Sequence, residues 1–234
     1  TRVCYASKKT TRRRRVGGCG IASMFRMDSP LMRGLTRLAD LMLLNVLALV
    51  CSIPIVTIGA SSSALYYAMG HLIHDEGTPT RDFFRSFKQN FVQATGLWLL
   101  FLAAGAVLGF AFVYYLTTQM TGGMVLLMLS SLVLLLWGLM LTWVFPLQAK
   151  FTNTFWKTLN NALLLSVAYL PRTLAALVVN LIPVLLYLFY PQLFIMAGIL
   201  WFALWFSVAT WINLKLLQKP MDKMIQATEE NAAE

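Results

Sequence analysis

An all-α, polytopic membrane helix bundle is predicted for this chain, on three observations. Between Lys88 and Lys150 it runs 61 residues without an Asp, Glu, Lys, Arg or His, and between Arg172 and Lys215 another 42. Charged residues make up 12% of the 234 and apolar ones 59%, whereas a soluble domain carries about a quarter charged. The basic residues stand in short islands beside the apolar runs, as loops facing anionic headgroups do. A helix crosses a hydrocarbon core of about 30 Å with about 20 apolar residues. Each charge-free stretch is therefore long enough to cross twice.

Residues 1–23 contain no acidic residue and carry Arg12-Arg13-Arg14-Arg15. They are expected to form a disordered basic extension upstream of the natural start at Met24. Val16-Gly17-Gly18-Cys19 lacks the apolar run that a lipoprotein box needs, because the four arginines stand there instead. A single membrane domain is expected over 24–219, followed by a polar tail over 220–234. The net charge of +10 does not imply nucleic acid, since the basic islands track the membrane-facing loops. Cys4, Cys19 and Cys51 are too scattered for a disulfide framework or a zinc site.

The first apolar block runs from Leu41 to Leu72 and contains Pro54 and Gly59. One straight helix of that length would be about 48 Å, too long for the bilayer. Pro54 breaks the hydrogen-bond ladder, and Ile55-Val56-Thr57-Ile58 has the β-branched content of an extended crossing. The block divides into a hairpin of helices over 35–53 and 60–73. Further spans are predicted over 94–116, 123–144, 173–189 and 193–216. Two amphipathic stretches precede the later hairpins. Phe83, Phe84, Phe87 and Phe91 share one helical face, and so do Phe151, Phe155, Leu159 and Ala162. Such helices lie in the membrane interface or pack on the ends of the spans, and both placements stay open at this stage. The two stretches echo each other faintly, which would make each amphipathic helix plus hairpin one copy of a parallel repeat.

Loop charge sets the orientation. Arg26, Arg33 and Arg37 precede the first helix, Arg81, Arg85 and Lys88 fill the next polar loop, and Lys150, Lys157 and Arg172 the third. Residues 117–122 and 190–192 carry no charge. The positive-inside rule predicts about six membrane segments, with both termini cytoplasmic and the neutral turns outside. A five-span form would strand three arginines on the wrong side.

Ionisable residues at membrane depth are the first functional candidates, and few exist. Asp40 stands one turn from Arg37, where an interfacial ion pair competes with a proton or substrate role. Asn45 and Asn180 are deeper, and each either bonds a neighbouring helix or meets a substrate. His71 and His74, with Asp75 and Glu76, have the spacing of a shared helical face but lack a third ligand with its supporting shell. No catalytic, cofactor-binding or metal set is read from the sequence, because no metalloprotease helix, nucleophile elbow or phosphate loop is present. Pro54, Thr57 and Gly59 form a candidate functional hinge, since a helix broken at membrane depth frees backbone groups for a solute. The competing reading is a tight structural turn.

The run from Asp40-Leu41 through Asn45, then Ser52-Ile53-Pro54-Ile55-Val56-Thr57-Ile58-Gly59-Ala60, Ala64-Leu65-Tyr66-Tyr67, Asp82-Phe83-Phe84, Phe87 and Asn90-Phe91, resembles the YesL-like family of bacterial integral membrane proteins, domain of unknown function 624. The resemblance covers about residues 24–219 and is densest before residue 95. It implies a bacterial cytoplasmic (plasma) membrane protein without an assigned activity. Family members are often encoded beside carbohydrate importers, which implies carbohydrate ABC importer subunits as partners. The expected function is a non-enzymatic accessory or permease-like component of carbohydrate uptake. The alternative is a membrane-bound enzyme or sensor with a site around His71-Glu76. Apart from the lipid bilayer and such subunits no partner is implied, and the oligomeric state stays open.

Overall fold

The structure, a computed structural model, describes residues 30–74, 77–118, 123–151, 154–196, 198 and 204–233. The expected basic extension over 1–23 lies outside them. Helix α1 spans Pro30–Cys51, α2 Ile58–Ile73, α3 Pro79–Thr117, α4 Gly123–Lys150, α5 Phe155–Ala168, α6 Leu170–Phe189, α7 Pro191–Met196 and α8 Phe206–Ala233. The described residues are helical throughout, apart from short connections. The described residues up to Ala39 fall in one unit and those from Asp40 on in a second. In the first, Thr36 donates its hydroxyl to the carbonyl of Met32 at 2.9 Å, one turn back along α1.

Among the described residues, four helices are long and apolar enough to cross a membrane: α1 over Gly34–Cys51, α3, α4 and α6. In the most apolar window of α4 only 11% of residues are buried within the chain. The remaining apolar surface is solvated by lipid rather than water, which marks the chain as a membrane protein. Leu126, Met128 and Leu129 are among the large side chains left exposed on it.

Helix α2 has the opposite character. It is 16 residues long, and Ala60, Ser61, Ser63, Ala64 and Ala68 are all buried. Small side chains let neighbouring backbones close in, which drives helix association where the hydrophobic effect is weak. Leu44 and Ala48 of α1, Leu65 and Met69 of α2 and Phe83 of α3 form one core. A second core joins Leu97 and Phe101 of α3, Trp143 and Leu147 of α4, Leu165 of α5 and Leu217 of α8.

Two expectations are corrected. The stretch over 80–91 is not a separate interfacial helix: α3 runs unbroken for 39 residues, about 58 Å at the usual rise. No Pro or Gly interrupts the chain between Pro79 and Ala94, so nothing stops the amphipathic turn series from continuing into the span. Its aromatic stripe divides, with Phe83 fully buried in the first core and Phe84 and Phe91 left exposed. Second, residues 55–57 are not extended. Pro54 has extended backbone, and Ile55–Thr57 form a 3₁₀ turn leading into α2.

The second amphipathic stretch is a separate helix, α5, and its stripe faces inward. Ala162 is fully buried, and Phe151, Phe155 and Leu159 pack against the second core, while Trp156 points away. Tyr169 breaks the helix and Pro171 stands in the first turn of α6, where a proline is tolerated but cannot continue a preceding helix. The faint repeat therefore does not extend to geometry, since the first copy is one continuous helix and the second is two. The last helix also exceeds its expected end. It continues past Pro220 to Ala233, so the stretch predicted as a polar tail is helical as far as it is described. Lys150 at the end of α4 pairs with Asp222 of α8 at 2.7 Å.

Candidate functional site

The chain break between α1 and α2 frees carbonyls at the end of α1, and side chains take them up. The Thr57 hydroxyl lies 2.6 Å from the carbonyl of Cys51 and 2.8 Å from that of Pro54. The indole Nε1–H of Trp98 on α3 donates to the carbonyl of Ile55 at 2.8 Å. Ser61 donates to the carbonyl of Ala48 at 2.8 Å, stitching α2 to α1. Gly59 faces α3 at van der Waals range: a Cβ there would stand 2.4 Å from the carbonyl oxygen of Ala94 and 2.5 Å from Cβ of Trp98. Pro54, Thr57 and Gly59 thus come together as a compact corner whose polar groups are engaged by the chain itself.

The three polar positions expected at membrane depth part company. Asp40 is partly buried on α1. Asn45 is fully buried, and its Oδ1 accepts the backbone N–H of Ser207 at 3.0 Å. Ser207 lies near the start of α8, just after the π-helical residues 204–205. Its hydroxyl donates to the carbonyl of Leu41 at 2.8 Å. Asn45 therefore bonds α1 to α8.

Asn180 meets a different group. Asn213 on α8 donates from Nδ2 to Oδ1 of Asn180 at 2.9 Å and to the hydroxyl of Tyr66 at 3.1 Å. The network ties α2, α6 and α8 together. Asn213 is 1% exposed, and its Oδ1 has no hydrogen-bond partner. Sequence reasoning passed over Asn213, although the signal that flagged Asn180 was present: an amide inside a charge-free run. It stands two residues from Lys215 and looked like the end of a span.

Tyr66 and Asn180 line a cleft of about 930 Å³ between α2, α4, α6 and α8. Its walls include Trp137, Leu181, Phe194 and Trp205, and the polar groups on it are hydroxyls and amides such as Ser62, Thr142 and Thr210. No described lining residue is charged. A predominantly apolar cavity with a few placed polar groups is the usual form of a small-molecule site. Trp137 is held by its Nε1–H on the carbonyl of Phe101 at 3.1 Å, with its ring against Gly105. This ring is thus fixed before any ligand arrives.

A second pocket, of about 280 Å³, lies where α2 and α4 end against α8. His71, His74, Lys150 and Gln218 line it. His71 stacks on Tyr67 with ring centroids 4.6 Å apart. Asp75 and Glu76 fall outside the described residues. Among the described residues, no three of His, Cys, Asp and Glu come close enough to hold a metal ion.

No curated protein and no solved structure matches the chain. A family does: residues 41–112, from the second half of α1 through the break and α2 into α3, match the family described as Protein of unknown function, DUF624.

Proposed function

We propose that the chain is a multi-pass, non-enzymatic component of a bacterial carbohydrate-uptake system, holding a neutral hydroxylated ligand in the cleft between α2, α4, α6 and α8. The observation that carries this reading is the chemistry of the cleft, whose described lining combines uncharged hydrogen-bonding groups with the indoles of Trp137 and Trp205. Neutral sugars are recognised by aromatic faces and neutral donors and acceptors. An ion in the same place would lose its hydration without a countercharge. The link to uptake rests on the YesL-like resemblance, and carbohydrate ABC importer subunits are the partners it points to.

In this reading six segments enter the bacterial plasma membrane, and both termini are cytoplasmic. Helix α2, about 24 Å long at the usual rise, and the stretch from α7 into α8 complete the count beyond the four long spans. The basic residues Arg81, Arg85, Lys150 and Lys157 then share the cytoplasmic side. Single cysteines at Thr118 and Gln192 in a Cys-free background react with an impermeant thiol reagent in intact cells, and one at the exposed Gln89 reacts only after the membrane is opened. Labelling at Gln89 from outside sinks the six-segment arrangement.

Purification from native membranes tests the function. Importer subunits co-purify, and a deletion strain loses oligosaccharide uptake. The second reading, an enzyme or sensor, draws on the pocket lined by His71, His74 and Lys150. Normal uptake in the deletion strain, with a bound metal lost on His74→Ala, replaces the first reading by the second.

A further inference from the structure

The large cleft and the smaller pocket stack end to end, and the same side chains separate them. On α2, Ser62 and Leu65 line the cleft, whereas Gly70 and His71 line the pocket. On α4 the change comes between Phe145 and Pro146, and on α8 between Thr210 and Leu214. Three helices therefore switch cavity at one level. Tyr66 borders both cavities, and Asn213, fully buried at that level, holds the Tyr66 hydroxyl.

We infer that Tyr66 and Asn213, braced by Asn180, form a gate between the two cavities, on a route for an uncharged hydroxylated solute. Three features support a gate rather than a permanent seal. The partition is one side chain thick at Tyr66. It is held by neutral hydrogen bonds, which are weak enough in net terms for thermal motion to break. Pro146 interrupts the hydrogen-bond ladder of α4 at this level, the usual origin of a bend in a long helix.

The chemistry of the solute follows from the uncharged polar groups at the gate. Oδ1 of Asn213 is buried beside the Tyr66 hydroxyl and the Asn180 amide with no partner among the described residues, and an amide oxygen accepts a hydroxyl donor. A solute hydroxyl passing the gate supplies that donor, while a cation or anion finds no countercharge among the described cleft residues. This route rests on the reading of the cleft as the solute site, and the test separates the two.

The full chain, with Cys4, Cys19 and Cys51 replaced, carries a single cysteine at Ser62 in the cleft or at Gln218 in the pocket. Sealed membrane vesicles receive a neutral, sugar-linked methanethiosulfonate, which does not cross the bilayer, at the face that labels Gln218→Cys. From that face Ser62→Cys reacts slowly, and Tyr66→Phe speeds it about fivefold, the weight of one neutral hydrogen bond. The rate at Gln218→Cys stays the same. Asn180→Ala, which removes the brace from α6, gives a second reading in case Tyr66→Phe lowers folded yield. A Ser62→Cys rate unchanged by both substitutions overturns the gate. Maltose in the vesicle lumen and bath slows labelling at Ser62→Cys if the cleft binds sugar. Unslowed labelling with an intact rate response overturns sugar binding and upholds the gate.

Discussion

The indole of Trp98 reaches the carbonyl of Ile55 across 43 residues of sequence, at 2.8 Å, and Gly59 lies against the root of the same side chain. One tryptophan on α3 thus fixes both the turn that ends the α1–α2 connection and the first turn of α2. The corner is shaped by what it must touch as much as by Pro54. A ligand that sought its carbonyls would first have to displace Thr57 or Trp98.

Gly59→Leu is expected to cost more than the roughly 1–3 kcal/mol typical of an overpacked core. Its Cβ would meet backbone at Ala94, and backbone cannot move aside as a flexible side chain does. The thermal midpoint and the folded yield in detergent fall together. A variant that accumulates at normal yield and midpoint but loses partner binding would return the corner to the functional candidates.

Thr57→Val removes the hydroxyl shared by the carbonyls of Cys51 and Pro54 while keeping the β-branched shape. One carbonyl is then left short of a donor, at about 1–3 kcal/mol where water cannot reach it. Thr57→Ser keeps the hydroxyl and restores most of the midpoint. Equal midpoints for the Val and Ser variants would show that the hydroxyl is not what holds the turn.

Trp143 donates its Nε1–H to the Thr173 hydroxyl at 2.9 Å, and that hydroxyl donates onward to the carbonyl of Tyr169 at 3.0 Å. Both Trp143 and Thr173 are fully buried. Thr173→Val strands a buried indole N–H and is expected to lower stability by about 1–3 kcal/mol. The exposed pair Lys150–Asp222 is a useful comparison: Asp222→Asn costs less than about 1 kcal/mol, and less again at high salt. Equilibrium unfolding of the two variants at low and high salt gives the ranking.

What was legible in the sequence follows from which physics acts locally. The charge-free runs placed the long spans, because the demand for apolar length is read residue by residue. Pro54 marked the break for the same reason. The continuity of α3 was hidden because a change from amphipathic to fully apolar pattern looks like a boundary, although no residue near Ala94 stops a helix. The partners of the polar residues were hidden more deeply. Lipid and protein are equally apolar neighbours, so hydropathy does not tell a packed face from a lipid-facing one. Nothing in the sequence of α8 says that Asn213 meets Tyr66, 147 residues earlier, or that Trp143 meets Thr173.

Asn45 and Asn180 looked alike as amides in apolar runs, and the structure assigns them different work. Asn45 accepts the N–H of Ser207 and so bonds α1 to α8. Asn45→Ala removes this buried hydrogen bond and is expected to cost about 1–3 kcal/mol, with a lower thermal midpoint whatever ligand is present. Asn180 lines the open cleft, where its place can be taken by solvent or solute, so Asn180→Ala should cost less than Asn45→Ala. Its effect appears instead in ligand protection of Ser62→Cys, which weakens by about fivefold, as the loss of one neutral hydrogen bond implies. Midpoints and protection measured on both variants decide the matter. A larger stability loss at Asn180 than at Asn45, with protection unchanged, would make the Tyr66–Asn213–Asn180 group a helix clamp and not the floor of a binding site.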